Sequence, residues 1–143
     1  MSKAQQQNEV DLALPADPSH LPRARSFIDA MAAAAGFGAK DRYRITMAVS
    51  EAVANALEHG APCQGGMVYL GAEIEAQRLS FCVRDCGEFA LVADPRPDDG
   101  IAERGRGFAL MNLLMDDVQL QTDTQTEVRL SKRLEDGSES FSP

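Results

Sequence analysis

One stretch, Ile45 to Gly60 (ITMAVSEAVANALEHG), constrains this chain more than any other. It reads as most of one helix, with Glu51, Asn55 and His59 at i, i+4 and i+8. That spacing sets a carboxylate, an amide and an imidazole along one ridge, each about 40° round from the last. The ridge is flanked by Ala48, Val49, Ala52, Val53, Ala56 and Leu57, so the helix is otherwise mostly apolar. A carboxylate buried alone is costly; it finds a partner or its pKa rises. Two readings stay open on the helix alone. These are satisfied buried or rim positions, or they form a ligand site completed by groups elsewhere in the chain.

The chain's bulk properties narrow the field. A length of 143 residues suits one domain with a real hydrophobic core. A net charge of −8 and a pI near 4.7 argue against direct nucleic-acid binding, which asks for a basic patch. The acidity suits partners with basic surfaces and keeps a protein soluble. No apolar run approaches the ~18 residues a membrane span needs. The leading MSKAQQQNEVDL lacks the apolar core of a signal peptide. Three cysteines, odd in number and loosely spaced, fit a reducing compartment, so the cytoplasm is the expected location.

Residues 1–8 read as a disordered lead-in, 9–134 as one domain and 135–143 as a flexible tail. Val10, Leu12 and Leu14 alternate as a first strand, broken by Pro15 to Pro18. Ser19 is placed to cap a helix whose stripe is Leu21, Ala24, Phe27, Ile28 and Met31, with Gly36 closing it. A second helix spans Ala39 to His59, stopped by Gly60 and Pro62. After Gly66 the period becomes 2. Val68, Leu70, Ala72 and Ile74 form one row, Leu79, Phe81, Val83 and Asp85 another, and Gln77-Arg78 is the expected turn. Asp85 is the odd member, an acid ending an apolar row. The segment from Cys86 to Arg104 has no period, and a loop that long is usually a lid or a binding loop. Gly105-Arg106-Gly107 is expected to open a short apolar helix, Phe108 to Met115. Two alternating strands follow, around Val118 to Thr122 and Thr126 to Leu134. The order predicts an α+β two-layer sandwich, a mostly antiparallel, mixed sheet with helices on one face.

Three polar features then stand together. Asn and Glu oxygens suit Mg²⁺, and a Glu can serve as a general base. Asp85-Cys86-Gly87 at a strand end can accept from an exocyclic amine, although a turn-forming Asp looks the same. Gly105-x-Gly107 before a helix start offers close backbone approach and free N–H groups to an anion. His59-x-x-x-Cys63 and Cys82-x-x-x-Cys86 are spaced loosely for structural zinc, and these cysteines read as small structural or surface residues.

Glu51-x-x-x-Asn55, then Asp85-x-Gly87, then Gly105-x-Gly107 resembles the N, G1 and G2 boxes of the GHKL ATPase superfamily, which has the histidine-kinase-type (Bergerat) fold. SEAVANALEHG and GRGFALMNLLMDDVQLQT…TEVRLSKRL look most like the small anti-sigma-factor serine kinases of that superfamily, from about Val10 to Leu134. The resemblance implies ATP and Mg²⁺ as cofactors, with Asn55 on the metal and Glu51 as general base or nucleophile-positioning group. It implies Asp85 on the adenine amine, supported by Thr126, with Gly87 letting the base lie close. It implies Gly105 and Gly107 at the phosphates, the helix from Phe108 behind them, further contacts from Arg104 and Arg106, and an ATP lid over 88–104. Two positions depart from the pattern: Phe89 stands where a second glycine is frequent, and Gln125 where Gly precedes Thr.

The activity implied is an ATP-dependent protein serine/threonine kinase acting as an anti-sigma factor. Its substrate would be a STAS-domain anti-sigma antagonist, in a partner-switching system with a sigma factor, and the kinase would be a homodimer. The alternative is a nucleotide-binding interaction module with weak or lost kinase activity. A histidine-kinase ATPase fragment is a third reading, but His20 and His59 both read as helix-end residues.

Overall fold

The computed structural model describes residues 9–59, 66–85, 100–121 and 126–134, excepting the side chains of 59 and 100–106. The expected lead-in (1–8), tail (135–143) and helix-stopping Gly60 and Pro62 lie outside the described residues.

Alternation builds the sheet. Strands β1 (Glu9–Pro15), β2 (Met67–Glu75), β3 (Arg78–Asp85), β4 (Asp117–Gln121) and β5 (Thr126–Arg133) lie in the order β1-β2-β3-β5-β4. All four pairings are antiparallel, so the sheet is wholly antiparallel among the described residues. Every second residue faces the helices: Val68 and Leu70 on β2, Phe81 and Val83 on β3, and Val128 and Leu130 on β5 are all buried. Glu75 pairs with Arg78, so the hairpin turns at Ala76-Gln77, one residue before the expected place. Ala76 takes a φ of 53°, as two-residue hairpin turns require.

Among the described residues three α-helices cover one face. A short 3-10 turn, Pro18–His20, leads into α1 (Leu21–Ala35). Ser19 does not cap α1: its hydroxyl donates to the Asp17 carboxylate, and His20 holds the cap position without a side-chain bond. Gly36 ends α1 at φ 103°, with its N–H 3.0 Å from Ala33 O and the Phe37 N–H 3.1 Å from Ala32 O. That crossed pair satisfies carbonyls the helix would leave open. Helix α2 (Ala39–His59) has the expected bounds. Its apolar flank, including Ile45, Val49, Val53 and Leu57, packs with Ala24, Ile28 and Ala32 of α1 over the sheet. Arg42 of α2 donates twice to Asp29 of α1 at 3.0 Å, and this fork holds the Asp29 carboxyl below the usual carboxylate range.

Helix α3 (Gly100–Leu114) starts well before the expected Phe108. Ile101-Ala102-Glu103-Arg104 are good helix formers, and each interior glycine that follows costs only about 1 kcal/mol. At the other end Lys132, the one cation in the sheet's helix-facing rows among the described residues, donates to Leu114 O at 3.3 Å. A lysine there satisfies a helix C-terminal carbonyl and suits the dipole.

Candidate functional site

Helix α2 carries Glu51 and Asn55 on partly buried positions beside its fully buried apolar flank. Glu51 is laid against α3. A Cβ added at Gly107 would sit 2.5 Å from Glu51 Oε2 and 3.0 Å from its Cγ and Cδ. Gly107 is therefore glycine for a steric reason: the Glu51 side chain occupies the space any larger residue would need. Glu51 also takes part in a further interaction within the protein.

A second polar pair lies at one end of the sheet. Asp85 is the last residue of β3 and Thr126 the first of β5, and they are direct register partners. Both are buried, at 7% and 6% exposure, and both face the helical layer at the end of apolar rows. Both take part in polar interactions within the protein. The structure thus brings Glu51 to Gly107 and Asp85 to Thr126.

The expected phosphate loop takes a different form. Gly105-Arg106-Gly107 lies inside α3, not before it. In a helix that begins at Gly100, the N–H groups of 105, 107 and 108 point to carbonyls four residues earlier. The free N–H groups belong to the first four residues instead. Phe108 packs partly buried against the core, and its carbonyl accepts from Asn112 at 3.0 Å. The side chains of Arg104 and Arg106 lie outside the described residues, as do Gly87, Phe89, Gln125, residues 88–99 of the expected lid and the His59 side chain.

Cys82 faces the opposite side of β3 from Asp85. Burial, and then its contact with Glu127, push its thiol up to about 11, so it is a neutral thiol near neutral pH. Among the described residues no three His, Cys, Asp or Glu side chains cluster as a metal site. Mg²⁺ needs no such cluster, because it is held by one or two protein oxygens together with phosphates and water.

The sequence reading missed one part of this region. Thr46 and Ser50, two turns and one turn ahead of Ala54, have buried hydroxyls with no hydrogen-bond partner among the described residues. Together with Glu51 they line a groove of about 490 Å³. Their i, i+4 spacing was the available signal, but it is common on solvated helix faces.

The model of the histidine kinase-like ATPase domain matches residues 14–132. The chain belongs to this family. A relative of this ATPase domain, the serine-protein kinase RsbW of Bacillus licheniformis, is 28% identical over 146 residues, covering 90% of this chain and 91% of that protein. An anti-sigma F factor of Clostridium acetobutylicum is 36% identical over 87 residues, 55% of this chain and 59% of that protein. Among solved structures, the RsbU and RsbW domains of a Mycobacterium tuberculosis protein superpose with a TM-score of 0.66 at 21% identity, covering 88% of this chain and 32% of that one. A blue-light-activated histidine kinase domain from Erythrobacter litoralis gives 0.53 at 22% identity, over 85% and 62%. Both share the α+β fold of this ATPase domain. No helix among the described residues is long and apolar enough to cross a membrane.

Proposed function

We propose that this ATPase domain is an ATP- and Mg²⁺-dependent protein serine/threonine kinase that also acts as an anti-sigma factor. The observation that carries the reading is the Glu51 carboxylate seated on Gly107, in a chain matched across 90% of its length by a serine-protein kinase. Asp85, buried beside Thr126, accepts from the adenine amine, and Gly87 leaves room for the base. Asn55 holds the metal, which supplies charge neutralisation at the phosphates when bound. Glu51 takes the proton of the acceptor hydroxyl as its oxygen bonds the γ-phosphorus and the bond to the bridging oxygen of ADP breaks. Such transfers depend mostly on positioning and charge. Gly105 and Gly107, flanked by Arg104, Arg106 and Phe108, meet the phosphates once the first turns of α3 unwind. The two glycines weaken those turns by about 1 kcal/mol each.

The substrate is a STAS-domain antagonist phosphorylated on Ser or Thr, and the second partner is a sigma factor held in the antagonist's absence. The protein works in the cytoplasm as a homodimer and touches neither nucleic acid nor membrane. Support for the dimer comes from the outer sheet face, where Glu9, Asp11, Glu73 and Glu75 lie on β1–β2 and Arg78, Arg84, Arg129 and Arg133 on β3–β5. A second reading keeps nucleotide binding and partner switching without phosphoryl transfer. It is favoured by α3 running unbroken through Gly105 and Gly107.

Thermal unfolding with and without ATP and Mg²⁺ separates these. ATP with Mg²⁺ raises the Tm of the wild type, Asp85→Asn abolishes the rise, and Glu51→Ala keeps the rise but stops transfer to the antagonist. A wild type that shifts but transfers nothing to any STAS-domain protein selects the second reading. The absence of a shift with every adenine nucleotide sinks both.

A further inference from the structure

The groove of about 490 Å³ opens where α1, α2 and α3 meet, with Glu51 in its wall. Helix α2 supplies a ridge of Thr46, Ser50 and Ala54, α1 supplies Leu21 and Arg25, and α3 supplies Leu110. A volume of several hundred Å³ is that of a ligand site.

Two independent features show that the groove is built for an occupant. Ser50 is 6% exposed, and both its hydroxyl and that of Thr46 are buried without a partner among the described residues. A helical Ser or Thr can bond the carbonyl one turn back, and these two do not. Unmade buried hydrogen bonds are costly, so two in one groove call for a donor or acceptor from outside. The rim tells the same story in other chemistry. Tyr43 and Met47 are 67% and 37% exposed, an apolar edge on an otherwise charged helix face. Arg25 makes no ion pair among the described residues, in a chain of net charge −8.

We infer that this groove seats the segment of the protein substrate that carries the phospho-acceptor hydroxyl, an extended stretch with an apolar and an acidic side chain. The inference rests on the kinase reading above. The acceptor lies at the Glu51 wall. Main-chain groups of the segment satisfy Thr46 and Ser50, because an extended backbone offers both donors and acceptors. The apolar side chain lies against Tyr43, Met47 and Leu110, and the acid reaches Arg25. Neutral hydroxyls and one distant cation suit a polypeptide better than a phosphate ligand, which would ask for several charges converging on one point.

The test is steady-state phosphorylation of a purified STAS-domain antagonist that the wild type modifies. Arg25→Glu and Met47→Glu are each expected to raise KM for the antagonist about tenfold or more, with kcat and the ATP-induced Tm shift held. An acid-to-Arg change beside the acceptor of the antagonist restores KM with Arg25→Glu. The double variant Thr46→Val/Ser50→Ala is expected to keep or raise the Tm of the free protein while raising KM, since it removes hydroxyls that only the substrate satisfies. Wild-type KM in both charge variants overturns the groove assignment and leaves the kinase reading standing. A wild type that binds ATP but phosphorylates no STAS-domain protein removes the kinase reading, and this assignment with it.

Discussion

At position 107 a helix-interior glycine is kept where alanine would ordinarily stabilise the helix by about 1 kcal/mol. The reason is Glu51, whose Oε2 would lie 2.5 Å from the new Cβ. Gly107→Ala must move the carboxylate or part α2 from α3. The expected outcome is a stability that does not rise and phosphoryl transfer reduced at least about tenfold. Urea unfolding and a transfer assay check both; a stability gain of the full propensity value with transfer intact would show that Glu51 has no need of that seat. Glu51 and Asn55 were legible in the sequence because their i, i+4 spacing on an apolar helix is a local pattern. Gly107 was legible as a motif but not in its cause. Its contact with Glu51 joins two helices far apart in the chain, and periodicity carries no record of such contacts. Thr46 and Ser50 went unread for the same reason, since their burial depends on α1 and α3 closing over them.

Among the elements, the strands and the first two helices followed from their periods of 2 and 3.6 almost to the residue. The meeting of Asp85 with Thr126 was implied only by the family resemblance, since alternation places each at the end of its own row and does not pair the rows. The start of α3 did not, because its glycines read as punctuation when the residues between and before them sustain the helix. Gly36 shows when that punctuation holds. Its φ of 103° is left-handed, and a Cβ there would also meet Leu134 Cδ2 at 3.3 Å. Gly36→Ala is expected to lower stability by about 1–2 kcal/mol, read as a fall in the urea midpoint with an unchanged slope. Gly38 has open space around it and no left-handed φ. Gly38 caps α2, its carbonyl accepting from the Arg42 N–H, and alanine caps less well than glycine, so Gly38→Ala is expected to lower stability by only about 0.5 kcal/mol, which makes it the control. Equal losses at both positions would mean that the cap conformation at Gly36 carries no special cost.

For the whole molecule, the homodimer we propose meets through the outer sheet face. Each strand is about 4.8 Å from the next and rises about 3.4 Å per residue, so five strands of this length present roughly 24 by 24 Å. Stacking β1, β2, β3 and β5 of two such faces would cover roughly 900 Å², just under the ~1,000 Å² at which specific interfaces begin. Area alone would make a weak dimer, so the charge pattern has to supply orientation. A two-fold axis running along the strands between β2 and β3 lays the acids of β1–β2 in one copy over the arginines of β3–β5 in the other. The small residues along that line, Gly71, Ser80 and Cys82, let the sheets come close. Because a two-fold contact repeats every pairing, one reversed charge is felt twice. Arg129→Glu is expected to dissociate the dimer in sedimentation equilibrium, and Asp11→Arg combined with it to restore association. Added salt is expected to weaken the wild-type dimer, since exposed charges are screened within about 10 Å at 0.1 M. A dimer indifferent both to salt and to Arg129→Glu would place the contact on another surface, such as the exposed apolar edge of α2 that bears Tyr43 and Met47. That outcome would set dimerisation and substrate docking in competition for one face.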